Sequence, residues 1–293
     1  ESANTDTIPV GSGCVQGDGA DDIAFSESTF SEATTISLMR TLPLLSSELS
    51  ITGTDKGVTI DGNNSTRVFT VVGASSKVSF NKLTISGGRS GLGAGILATG
   101  SSTLNLNNST ISGNTTFGDS GRGGAMYIKN ASVSTSNTIV EDNIAAYAGA
   151  IALYGQSELF IVNSVLTSNS ATEGNCGGLL ADSVGGNSMT LSITDSEISN
   201  NSASYYTCGG IRIEGPRDEI EFYATLTNTT ISGNSATFGS GVYSLNSNLT
   251  INGSTIVNNH AAGGSGGVAL VTGSASITNS IIAGNLGAFQ QDV

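Results

Sequence analysis

Short runs in which apolar and polar residues alternate recur along almost the whole chain. Leu191 and Ile193 flank a serine, and Leu249 and Ile251 flank a threonine. A period of two residues predicts short β-strands with one face turned inward. No segment carries the 3.6-residue apolar stripe of an amphipathic helix. The pattern therefore predicts an all-β protein.

A second pattern repeats at longer range, because an apolar residue is followed three positions later by asparagine. Successive steps are 25, 26, 29, 26, 32, 33, 25 and 26 residues apart, and Gly88 replaces the asparagine once. A near-constant interval with a few longer members predicts a fixed coil carrying loop insertions. The asparagines are Asn63, Asn114, Asn143, Asn169, Asn201, Asn234, Asn259 and Asn285.

Seven of the repeats carry a hydroxyl residue five positions before the asparagine, and seven carry a small residue seven to ten positions after the asparagine or after Gly88. Glycine or alanine there permits a tight corner and close approach of neighbouring coils. Three short strands and three turns per repeat predict a single-stranded right-handed parallel β-helix of about nine coils. Residues 46–293 would form this solenoid behind an N-terminal capping segment, residues 1–45. Equivalent residues would stack about 4.8 Å apart.

The recurrent asparagines are expected to stack as a structural ladder, each amide bonded to its equivalent in the next coil. Asparagine also tolerates the left-handed backbone that a corner can require. A ligand-facing role is the alternative. The predicted ladder comprises Asn114, Asn143, Asn169, Asn201, Asn234, Asn259 and Asn285.

Composition excludes several classes of protein. The net charge is −13, which disfavours nucleic acid and anionic lipid as partners. The sequence contains no run of 18 apolar residues, so it predicts no membrane-spanning segment. Only 11% of residues are charged, whereas soluble domains average about 25%.

Two cysteines occupy the same register. Cys176 and Cys208 each lie seven residues after a ladder asparagine and directly before Gly-Gly. Equivalent positions in adjacent coils have Cα atoms about 5 Å apart, within the range of a disulfide. We therefore predict a disulfide, which would favour an oxidising compartment. Two free thiols or half of a metal site are the alternatives, and Cys14 has no assigned role.

Aromatic residues are few, and several follow the ladder asparagines by three or four positions. Together with a neighbouring tyrosine they could line one edge of the rod as a strip for sugar stacking or protein contact. Packing within loops is the alternative. The residues are Phe117, Tyr147, Tyr205, Tyr206 and Phe238.

The pairing of Gly123–Met126 with the later step Val140–Asn143 resembles the repeat of chlamydial polymorphic outer-membrane proteins and related bacterial β-helix surface proteins. Three stretches, Gly17–Phe25, Leu49–Gly53 and Val58–Asn63, resemble the opening of large secreted proteins that carry a Cys-Ser-Leu-Arg-Glu-Ala-Ile signature, although that signature is absent. The resemblance implies an extracellular or cell-surface protein, adhesin-like or a structural stalk. Its expected partner is an extracellular polysaccharide or a surface protein.

A carbohydrate-active enzyme, a polysaccharide lyase or a glycoside hydrolase, is the competing hypothesis. His260 is the sole histidine, no Arg-x-Lys step exists, and no metal-ligand set stands out, although acidic loops could bind calcium weakly. We therefore predict no catalytic residues and no cofactor. The nearest charged constellation, which a solvated face also explains, is Asp119, Arg122, Lys129, Glu141 and Asp142.

The segment after Asn285 contains no proline, predicted helix or charge run that would cap the last coil. An open parallel edge invites pairing with another chain. We therefore expect either end-to-end self-association or continuation into further sequence.

Overall fold

The computed structural model describes residues 19–183, 188–205, 207–216, 222–288 and 292. Within these ranges the chain forms strands, turns and no helix, and every strand pairs in parallel with its equivalents in neighbouring coils. The predicted fold class, a right-handed parallel β-helix, is confirmed. Ten turns are present, one more than the asparagine step reveals.

Four parallel sheets run along the rod, and the chain visits them in the order A, B, D, C before it returns to A. Sheet A comprises Asp21–Ala24, Glu48–Thr52, Lys77–Asn81, Thr103–Asn107, Ser132–Ser136, Glu158–Val162, Met189–Thr194, Phe222–Thr227, Ser247–Asn252 and Gly273–Thr278. Sheet B comprises Thr34–Ser37, Val58–Asp61, Leu83–Ser86, Thr110–Ser112, Ile139–Glu141, Val165–Thr167, Glu197–Ser199, Thr230–Ser232, Thr255–Val257 and Ile281–Ala283.

The other two sheets have eight strands each. Sheet C comprises Phe69–Val72, Ile96–Thr99, Met126–Lys129, Ile151–Tyr154, Leu179–Asp182, Ile211–Glu214, Val242–Leu245 and Val268–Leu270. Sheet D comprises Arg89–Ser90, Thr115–Thr116, Ile144–Ala145, Ser170–Ala171, Ser202–Ala203, Ser235–Ala236, His260–Ala261 and Leu286–Gly287.

The core lies inside the rod and consists of stacked columns of like residues. Leu159 pairs in register with Leu191, and Ile161 with Ile193. All four side chains are buried, whereas the residues between them face outward or are half-buried. Truncating such a buried side chain to alanine costs about 2–5 kcal/mol.

The asparagine ladder is confirmed. From Asn114 to Asn259, each side-chain amide donates to the Oδ1 atom of the next ladder asparagine over 2.9 to 3.0 Å. The ladder residues are at most 1% exposed. Asp292 takes the next place in the column, since its Oδ1 accepts from the main-chain N–H and the Nδ2 of Asn285 over 3.1 and 3.0 Å.

One part of the ladder prediction was wrong, because the left-handed backbone does not lie at the ladder asparagine itself. It lies at the residue before it, with φ between 54° and 68°. The ladder side chain can then turn inward from an ordinary backbone. The left-handed residues are Gly113, Asp142, Ser168, Asn200, Gly233, Asn258 and Gly284.

The small residues before sheet C do permit close approach of the coils. A Cβ atom at Gly178 would lie 2.5 Å from the carbonyl oxygen of Gly210 in the next coil. Further towards the N-terminus, the described part of the predicted capping segment supplies the first strands of sheets A and B, Asp21–Ala24 and Thr34–Ser37. The domain division at residue 45 stays a prediction.

Candidate functional site

The candidate site lies on the outer face of sheet C and on the loops that enter this sheet from sheet D. In each four-residue strand of sheet C two side chains point inward and two point outward, because strand residues alternate between faces. We call the outward positions and these entering loops the C face. One outward column consists of Leu97, Tyr127, Ala152, Leu180, Arg212 and Tyr243.

The predicted aromatic residues lie on the entering loops of this face, but not in one column. Phe117, Tyr205 and Phe238 are 54%, 65% and 44% exposed, and Tyr147 is half-buried. Tyr147 forms a β-bridge with Arg122 of the preceding coil, whereas Phe238 bridges Thr207. Tyr206 lies outside the described residues. A binding role for these residues stays a prediction.

An arginine surrounded by aromatic rings forms the centre of the C face. The Arg122 guanidinium carbon lies 5.5 Å from the ring centre of Tyr147 and 5.4 Å from that of Tyr154. Tyr127 stacks on Tyr154 with ring centres 5.5 Å apart. Such cation–π contacts hold the guanidinium in a fixed plane.

A cleft opens beside this cluster. Its volume is about 590 Å³, and its walls include Leu92, Phe117, Arg122 and the loop from Gly118 to Gly121. The guanidinium of Arg89 lies 6.0 Å from the ring centre of Phe117. The cleft therefore combines an exposed ring with a cationic group.

A second arginine on the C face is used differently. Arg212 is 9% exposed, forms an ion pair of 2.6 Å with Glu214, and lies 4.7 Å from the ring centre of Tyr243. Burial lowers the pKa of Arg212, but the hydrogen bond and charge of Glu214 outweigh this effect and raise it. The positive charge of Arg212 is thus balanced within the protein by the carboxylate of Glu214.

Burial also affects the tyrosines of the cluster. It is the main cause that raises the pKa of both Tyr127 and Tyr154, and the charge of Arg122 opposes it without reversing it. Both hydroxyls therefore stay protonated at neutral pH, which is unfavourable for a general base.

The cysteines lie beneath the C face in one column. The Cys176 and Cys208 sulfur atoms are 2.7 Å apart, and both residues are fully buried with left-handed backbones. Burial raises the pKa of Cys208 well above its ordinary value. The two residues are held as thiols in this structure, so the disulfide stays a prediction. Cys14 lies outside the described residues.

The charged constellation considered for catalysis is not one site. Arg122 and Lys129 belong to the C face, whereas Glu141 lies on sheet B and Asp142 on the turn that follows it. His260 is exposed on sheet D. Among the described residues no three His, Cys, Asp or Glu side chains could together hold a metal ion.

Sequence reasoning missed Tyr127, Tyr154, Arg212 and Tyr243. Their signal was present, because each occupies an outward position next to a buried apolar residue of the same strand.

The described ranges contain no helix that could serve as a membrane span.

Comparison with known proteins assigns no family. No family model matches the chain, and no curated protein matches it significantly. A similar solved structure is a double mutant of a periplasmic alginate epimerase, with a TM-score of 0.45 and 12% identity over 91% of this chain and 73% of that one. The resemblance to chlamydial repeat proteins thus stays a prediction.

Proposed function

We propose that the protein is a non-enzymatic, adhesin-like β-helix that binds glycans through the C face. The observation that carries this proposal is the cleft in which exposed Phe117 stands beside Arg122, itself enclosed by Tyr147 and Tyr154. Aromatic rings offer flat apolar surfaces for sugar rings, and arginine offers several hydrogen-bond donors for their oxygens.

The mounting of the cluster on strands supports binding. Tyr127 and Tyr154 lie within sheet strands, and the bridge between Arg122 and Tyr147 extends the pairing into the loops. Groups held by rigid elements lose little conformational freedom when a ligand arrives. The C face runs along the rod, so that an extended chain could contact several coils at once.

An extracellular or cell-surface location belongs to the same proposal. The few charges, the many uncharged polar residues and two cysteines in one register, which an oxidising compartment could join, suit a secreted solenoid. The partner would then be an extracellular polysaccharide or the glycans of a surface protein.

The enzymatic alternative, a polysaccharide lyase or a glycoside hydrolase, has less support. The raised pKa values of Tyr127 and Tyr154 argue against a tyrosine base. Glycoside hydrolysis needs two carboxyl groups about 5–9.5 Å apart across the scissile bond. The cleft beside Arg122 is lined by one carboxylate, that of Asp119.

A glycan array probed with the wild type and with Phe117→Ala tests the proposal. We expect retention of at least one glycan class by the wild type and its loss in the variant. Phe160→Ala is the matched control, because Phe160 is exposed on sheet A, away from the C face. Equal retention by all three proteins, or release of unsaturated or hydrolysed sugar, would contradict the proposal.

A further inference from the structure

The two arginines enclosed by rings on the C face differ in their charge balance. Arg212 is paired with Glu214 and also donates to the Thr207 hydroxyl. Arg122 forms no ion pair with any described residue, although the protein as a whole carries a net charge of −13. Arg122 is thus a half-buried cation that no described carboxylate pairs.

The Nε–H of Arg122 adds a second observation. This atom is buried and has no hydrogen-bond partner among the described residues. Buried donors in proteins are nearly always paired with protein, water or an ion. The guanidinium that lines the open cleft is therefore not fully satisfied by the protein itself.

Two further cations lie next to aromatic residues of the site, since Arg89 is close to Phe117 and Lys129 pairs in register with Tyr154. Arg89 lies over Phe117, and Lys129 projects from the strand that follows Arg122; both are exposed and lack ion pairs with described residues. Arg67, in contrast, is half-buried and donates to the main-chain carbonyl oxygens of Leu92 and Gly93. The cleft itself is lined by one carboxylate, that of Asp119, and Asp182 acts on Tyr127 and Tyr154 from further along the C face.

We infer that the C face binds an acidic polysaccharide, with Arg122 receiving a carboxylate or sulfate oxyanion and Phe117 contacting the adjoining sugar ring. This inference rests on the proposed glycan binding and specifies the charge of the ligand. The planar guanidinium, held between Tyr147 and Tyr154, offers two donors side by side to the two oxygens of one oxyanion. Arg89 and Lys129 would meet the neighbouring charges of the same polymer.

Affinity electrophoresis through gels that contain polygalacturonate, a sulfated galactan, dextran or polyglutamate tests the inference. We expect the wild type to be retarded by an acidic polysaccharide, less so at high salt, and much less by dextran or polyglutamate. Polygalacturonate and the sulfated galactan distinguish a carboxylate from a sulfate ligand. Arg122→Gln should raise the dissociation constant about tenfold or more, because a charge-assisted hydrogen-bond pair is lost.

Lys56→Gln, a change at an exposed cation on the turn between sheets A and B, is the matched control and should leave retardation unchanged. If Arg122→Gln fails to fold, Lys129→Gln provides a second test, and it should lower the affinity for the acidic polysaccharide about threefold. If Phe117→Ala abolishes binding while Arg122→Gln and Lys129→Gln do not, glycan binding stands and the acidic ligand is wrong. Equal retardation by polyglutamate would refute recognition of a sugar, and absence of binding to every glycan would refute the proposed function itself.

Discussion

The Oδ1 atom of Asn201 accepts two hydrogen bonds from Asn169, one from its side-chain Nδ2 over 2.9 Å and one from its main-chain N–H over 3.0 Å. Asn201 repeats the same pair of bonds towards Asn234. Each ladder residue therefore serves as acceptor for one coil and donor for the next.

Replacing Asn169 or Asn201 with alanine should lower the free energy of unfolding by about 1–3 kcal/mol, because buried main-chain and amide donors lose their acceptor. The double variant should lose less than the sum, since the two residues share bonds. Chemical denaturation measures these changes. Asn105→Ala on the outer face of sheet A is the control, and equal stability of all variants would argue against the ladder.

Asp292 should stabilise the last turn of the ladder. Asp292→Ala removes the acceptor for the main-chain N–H and the Nδ2 of Asn285. Hydrogen exchange at Leu286 should then accelerate, whereas Asp292→Asn should retain protection because its Oδ1 can accept the same bonds. The prediction is wrong if alanine and asparagine behave alike.

Mass mapping of a non-reduced digest should recover Cys176 linked to Cys208 when the protein is made in an oxidising compartment. In the reduced folded protein both thiols should react slowly with an alkylating agent, because they are fully buried and burial raises the pKa of Cys208. Unfolding should make both reactive. Recovery of two free thiols from oxidised protein would end the disulfide hypothesis.

Stability should fall at alkaline pH through Tyr154. Its folded pKa is raised by burial, so the folded state retains a proton that the unfolded chain releases above about pH 10. The free energy of unfolding therefore decreases as pH rises through this window. Tyr154→Phe should flatten the decline in melting temperature between pH 9 and 11.5, whereas Tyr223→Phe, at an exposed position, should not.

The fold was predictable from sequence because its determinants repeat. A buried asparagine such as Asn169 or Asn201 must satisfy its amide, and an asparagine at the same position of the next coil supplies the acceptor. The regular spacing of these asparagines along the sequence thus identified both the length of a coil and the stacking of one coil on the next. The first turn was missed because Asp21–Ala24 and Thr34–Ser37 stack in register without that asparagine.

The candidate site was less predictable because its residues do not repeat. Arg122 and Tyr147 occupy one position in two adjacent coils, and Tyr154 occupies another, on the strand that follows Tyr147. Their contact depends on the register across the loops that enter sheet C, and those loops vary in length. The sequence predicted that Phe117 and Tyr147 lie on one edge of the rod, but it did not predict that they lie close to Arg122.

The direction of the hydrogen bonds between coils has a mechanical consequence. The main-chain hydrogen bonds that pair one coil with the next, as at Leu159 and Leu191, run along the rod. Tension applied to the two ends of the rod therefore pulls directly on these bonds. Coils should therefore detach singly from an end instead of shearing together. The 26 residues from Asn143 to Asn169 would release roughly 85 Å of extended chain per event, so the rod would lengthen in a series of small steps.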